Sequence, residues 1–161
     1  MFDGTIALIV FFAAALFGGA AALIDLKTMT IPNWLTGSTA LVFAILMLIG
    51  LGLEEGLWRV GNGLVVLFVG ALLFWAGAIG GGDAKAAAAF AIPIAPIDAS
   101  FVFLALAING LVALGVIALL RRTALASGSW SVWSSGRSFP YGLPLAMTLI
   151  LYTGLVAFLL N

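Results

Sequence analysis

Two short stretches carry acids where an otherwise apolar chain has little reason to keep them. The first is Asp25-Leu26-Lys27, followed by Ile31-Pro32-Asn33. The second is Gly80-Gly81-Gly82-Asp83-Ala84-Lys85, set between two long apolar runs. A carboxylate in such surroundings is costly unless it sits at a water-facing edge or has a function. Two carboxylates brought together cannot both ionise easily, so the pair shares a proton. One of them then takes a proton from water while the other protonates a carbonyl oxygen, which is the division of labour in aspartic proteolysis. Asp83 follows three glycines that let the chain turn sharply and let another segment approach. At the start of a helix it also sees the positive end of the dipole, which favours its charged form.

The composition leaves few other chemistries open. The chain has no His and no Cys. Thiolate nucleophiles, thiolate metal sites and disulfides are therefore excluded, and so is the usual neutral-pH base. No metal or other cofactor is expected. Formal net charge is zero and there is no basic tail, so nucleic acid is not an expected partner.

The elements that must position the acids are apolar helices. Of 161 residues, 65% are hydrophobic and 7% charged, with a mean hydropathy of +1.31. A water-soluble domain of this size carries roughly 25% charged residues. The expected fold is all-α, a polytopic membrane protein of about six transmembrane helices in a single domain over 1–161, its outer surface in contact with lipid. The N-terminal run lacks the basic start of a signal peptide and reads as a permanent helix. The spans are expected at 4–24, 34–53, 60–79, 83–97, 99–120 and 141–160. Pro32 keeps Ile31 out of a helix, and Asn33 is the expected N-cap of the second span. Glu54, Glu55 and Arg59 mark an exposed turn. Pro93 and Pro96 interrupt the fourth helix, which at ~22 Å is short for a ~30 Å hydrocarbon core. Gly63, Gly70 and Gly77 recur every seven residues and predict a packing seam, with a lateral substrate gate as the alternative. Asn62 and Asn109 are expected to bond between helices.

If the fourth helix crosses, Lys27, Lys85, Arg121, Arg122 and Arg137 fall on one face, with Arg59 alone on the other. The positive-inside rule favours that arrangement, with Asp25 and Asp83 at the cytoplasmic face and both termini outside. The Ser-rich segment 121–139 carries Trp130 and Trp133 and reads as a surface-lying loop, with a substrate-docking flap as the alternative.

The two acidic blocks together resemble the signatures of the type IV prepilin peptidases. Asp25 with Lys27 and Ile31-Pro32-Asn33 is similar to the first, and Gly80-Gly81-Gly82-Asp83 to the GxGD motif that names this group of membrane aspartyl proteases. Pro140-Tyr141-Gly142 resembles a third element. The resemblance implies a peptidase of the bacterial inner membrane that removes the leader of a prepilin just ahead of its hydrophobic helix. It implies Asp25 and Asp83 as the catalytic pair. Lys27, Pro32, Asn33, Gly80, Gly82, Lys85, Pro140, Tyr141 and Gly142 then shape the site. Larger members carry paired CxxC motifs tied to methylation of the new N-terminus. This chain has none and resembles the compact branch that often serves Flp pili, so cleavage without methyl transfer is expected. The rival class is a transporter or assembly subunit using the same aspartates as ion or proton sites, although no inverted repeat is visible. Ser/Lys signal-peptidase chemistry is weaker, because no serine is distinctively placed.

Overall fold

A computed structural model describes residues 3–122, 130–134 and 139–159. Among them the fold is an all-α, polytopic membrane bundle of six helices. These are α1 (Gly4–Thr28), α2 (Asn33–Trp75), α3 (Gly81–Ala91), α4 (Ala99–Leu120), the single turn α5 (Ser131–Ser134) and α6 (Gly142–Phe158). A 3-10 turn, Pro96–Asp98, leads into α4. Gly4–Thr28, Asn33–Trp75 and Pro96–Leu120 are long and apolar enough to cross a membrane, and Gly142–Phe158 is a shorter apolar helix.

α2 is two arms rather than one rod. At 43 residues it would run ~65 Å if straight, twice a bilayer core. It breaks at Gly52, whose φ of 80° and ψ of 174° lie in a region that side chains rarely allow. The arms fold back on each other. A Cβ on Gly56 would lie 2.8 Å from Leu48 Cα, although the two residues are eight apart in the chain. Helix resumes directly after Gly52, so the exposed turn expected at Glu54 to Arg59 is helical. Arg59 is buried, with its Nε donating to Glu55 Oε1 at 2.9 Å and its Nη1 to Pro93 O at 3.0 Å.

The returning arm packs antiparallel on α3. Gly63 faces Ala88 and Ile92, and Gly70 faces Ala84, at distances that leave no room for a side chain. These two glycines form the expected seam. Gly77 does not join it, because it sits in the turn before α3 with φ 74°. Asn62 and Asn109 bond between segments as expected, to Ala91 O and Thr148 Oγ1, both at 3.0 Å. α3 ends at Ala91, before the prolines, and its 11 residues make ~16 Å, too short to cross alone. The turn through Asp98 completes the passage to the other end of the bundle.

Packing divides the molecule into two parts. α2 packs chiefly on α3, and α1 on α6, with α4 lying along α6; contacts from α1 to α2 and from α3 to α6 are sparse. Small residues such as Ala14, Ala21, Ala86 and Ala146 line the core around Phe43, Met47 and Leu149. Large apolar side chains such as Leu16, Ile49, Phe68 and Leu111 point outward. That pattern suits lipid rather than water, since in lipid the association of helices rests on close packing.

Candidate active site

α1 ends later than its apolar run suggests. It continues to Thr28, which places Asp25 in the last turn, buried at 3% exposure. Met29 closes the helix in the left-handed conformation (φ 55°), its N–H donating to Asp25 O at 2.7 Å. The chain then reverses through Ile31 and Pro32 into α2. Pro32, not Asn33, holds the N-cap position, and its carbonyl accepts from the N–H groups of Leu35 and Thr36. Asn33 is the first helical residue, and its side chain has a different task. Its Oδ1 accepts from Lys85 Nζ at 2.7 Å, tying the start of α2 to the first turns of α3.

Asp83 enters from the other part of the bundle. Gly80 is the N-cap of α3 and Asp83 lies three residues in, half-buried, with its carboxylate accepting from the Gly80 N–H. This is one half of a capping box. A Cβ at Gly80 would meet Asp83 Oδ2 at 2.7 Å, so the glycine leaves space for the carboxylate. Gly82 leaves space for the backbone of Ile31, whose O and N would lie 3.2 and 3.3 Å from a Cβ there.

The third element also arrives at Asp25. The Gly142 N–H, at the start of α6, donates to Asp25 Oδ2 at 2.8 Å. A side chain on Gly142 would strike Asp25 Oδ2 at 2.9 Å, Asp25 Cβ at 3.0 Å and Ile31 Cδ1 at 3.1 Å. Pro140 is fully buried, while Tyr141 is exposed and stacks edge-on with Phe139. Ile31 therefore touches the glycine beside Asp83 and the glycine beside Asp25. The sequence marked it only as a member of the Ile31-Pro32-Asn33 block, with no role of its own.

The two acids feel one another. Burial pushes the Asp83 carboxyl up from its ordinary 3.8, the negative charge of Asp25 adds to this, and the Gly80 N–H works the other way, leaving it at about 6. The helix dipole favours ionised Asp83, but desolvation and the like charge outweigh it. The lysines do not neutralise the pair. Lys27 is exposed and lies over the Trp130 ring at 5.4 Å, and Lys85 is taken by Asn33. Arg121 donates to Val132 O at 2.8 Å and Val132 is fully buried, so α5 is seated on α1 near this end of the bundle. Residues 123–129 and 135–138 of the expected surface loop lie outside the described residues.

Lys27, Lys85 and Arg121 thus share the end that holds both aspartates, and Arg59 lies at the other. Among the described residues, no three carboxylates gather as ligands for a metal ion. A groove of about 510 Å³ opens between the two arms of α2, with α3 as its floor, and neither aspartate is in its walls. Gly37, Ala40, Ala44, Leu64 and Ala88 are among its walls, and Asn33 and Lys85 stand at its mouth.

No curated protein and no solved structure matches the chain. A family model does, the type IV leader peptidase family, over residues 10–119. That span is most of the chain and includes both aspartate blocks, with the third element beyond it. The chain belongs to the type IV leader peptidase family.

Proposed function

We propose that this peptidase is an aspartic endopeptidase in which Asp25 and Asp83 cleave the leader from a prepilin, one of the Flp-like kind, at the cytoplasmic face of the bacterial inner membrane and without methylating the product. The observation that carries the reading is the approach of two acids from distant segments. One is buried and one half-buried, and the charge of the first raises the second. Two carboxylates that share a site raise each other's proton affinity, so the pair accepts a proton more readily than either acid would alone.

The ionised carboxylate takes a proton from a water molecule, and the water oxygen bonds to the carbonyl carbon of the scissile peptide. The protonated carboxyl gives its proton to the carbonyl oxygen, so the tetrahedral intermediate is neutral and the pair still holds one proton. On collapse, one carboxylate removes a hydroxyl proton and the other acid protonates the leaving nitrogen as the C–N bond breaks. No third catalytic group is required, which suits a chain without His or Cys.

The remaining residues serve geometry. Gly142 orients Asp25, Gly80 orients Asp83, and Gly82 lets Ile31 pass close to α3. Lys85 and Asn33 lock α3 to α2, Pro32 directs the entry to α2, and Pro140 and Tyr141 form the entry to α6. Lys27 anchors the Trp130 segment. The grouping of cations at the aspartate end supports a cytoplasmic orientation. The apolar groove that Lys85 and Asn33 border has the chemistry to receive a substrate's hydrophobic helix from the bilayer side. Incubating the detergent-purified protein with an Flp-type prepilin and reading the new N-terminus by mass spectrometry tests the reading. A cleaved, unmethylated product is expected; an intact or a methylated prepilin contradicts it.

A further inference from the structure

At the end of the bundle opposite the aspartates, Tyr152 is buried, and its hydroxyl joins two groups of the turn that follows α3. It accepts from the Ala95 N–H at 3.0 Å and donates to Asp98 Oδ2 at 2.8 Å. Asp98 stands at the N-cap position of α4, yet its side chain makes no capping bond and is turned to Tyr152 instead. Nothing in cleavage chemistry accounts for a buried hydroxyl and a carboxylate held together there.

Tyr152 lies on α6, the helix whose first residue, Gly142, donates to Asp25. The turn it grips is the continuation of α3, the helix whose first turn carries Asp83. One rigid helix therefore touches Asp25 at one end and, at the other, the far end of the lever that carries Asp83. Elsewhere α3 is fastened mainly to α2: Arg59 and Asn62 hold the carbonyls of Pro93 and Ala91, and these move with α3 rather than with α6. We propose that Tyr152, together with Asp98, is a positioning residue that fixes the tilt of α3 against α6 and so sets the separation of the two aspartates; the link to cleavage rests on the peptidase reading above.

The lever is short and stiff. Over the ~16 Å of α3, a tilt of about 4° displaces Asp83 by about 1 Å. A misplacement of that size costs on the order of 10²-fold in rate when reacting groups must be aligned. Packing between α3 and α6 is sparse, and the Tyr152 hydroxyl adds a polar link between α6 and the turn that continues α3.

Tyr152→Phe keeps the ring and removes both bonds. Because the chain has no native cysteine, Lys27→Cys and Lys85→Cys place spin labels uniquely, each two residues from an aspartate and both on exposed positions. Pulsed EPR on the full-length protein in nanodiscs then reports the distance between the two parts. Tyr152→Phe is expected to broaden or lengthen that distribution, and in the unlabelled protein to lower kcat by about 10- to 100-fold with KM little changed. Asp98→Asn, which retains an acceptor for the hydroxyl, is expected to keep the parent distance, and Asp98→Ala to behave like Tyr152→Phe. An unaltered distance distribution in both Tyr152→Phe and Asp98→Ala overturns the proposal. The EPR measurement needs no turnover, so it is decided separately from the peptidase reading.

Discussion

The backbone N–H of Gly142 donates to Oδ2 of Asp25 at 2.8 Å, joining residues 117 apart in the chain. The bond fixes which way the carboxylate points, and the missing Cβ of Gly142 is what lets the two come that close. Gly142→Ala must displace either Asp25 or Ile31. Such overpacking costs about 1–3 kcal/mol, and a shift of ~1 Å in a catalytic group lowers rate by up to ~10²-fold. Cleavage kinetics and thermal unfolding of Gly142→Ala are expected to show both losses. Gly110→Ala, where an added Cβ meets no heavy atom within 4 Å, is the control and keeps full activity.

Asp83 gives a stability prediction with a definite sign. Its carboxyl is held at about 6 in the folded protein against 3.8 ordinarily, so the folded state binds the proton more tightly than the unfolded one. Stability associated with this group is present below pH 3.8 and is lost as pH rises to about 6, beyond which the loss is complete. Asp83→Asn removes the buried charge. Its melting temperature at pH 7.5 is expected to exceed that of the parent, with the difference vanishing near pH 3.5. An equal gain at both pH values contradicts this origin of the shift.

The groove between the arms of α2 predicts a binding defect rather than a chemical one. Gly37 lines it, and a Cβ there meets nothing within 4 Å, so Gly37→Leu fills space without disturbing the helix. A substrate helix seated in the groove is then bound less well in ground state and transition state alike. KM for a full-length prepilin is expected to rise about tenfold with kcat preserved. A KM unchanged by Gly37→Leu places the substrate elsewhere.

Much of this was legible in the residues themselves. The six apolar runs, the proline break after α3 and the two acid-bearing turns all follow from local physics: hydropathy, the fixed φ of proline and the cost of charge in lipid. What escaped was set by tertiary contacts. The last turn of α1 forms because Met29 accepts a left-handed conformation, which no glycine announced. Arg59 read as an exposed marker because charge in a sequence says nothing about a partner, and it is buried on Glu55 and Pro93. Asn33 looked like a cap, yet Pro32 already occupied that position and freed the amide for Lys85. Tyr152 carried no signal at all, and Ile31 was marked only as a member of the block ahead of α2, since their contacts exist only once distant helices meet.

The central claim is that Asp25 and Asp83 together hydrolyse one peptide bond. Purified parent, Asp25→Asn and Asp83→Asn are compared for cleavage of the same prepilin, with folding of each checked by its unfolding transition. Each single change is expected to reduce the rate by at least ~10³-fold, as loss of a general acid or base does, while a cooperative transition remains. Cleavage within a few-fold of the parent by either folded variant contradicts the account.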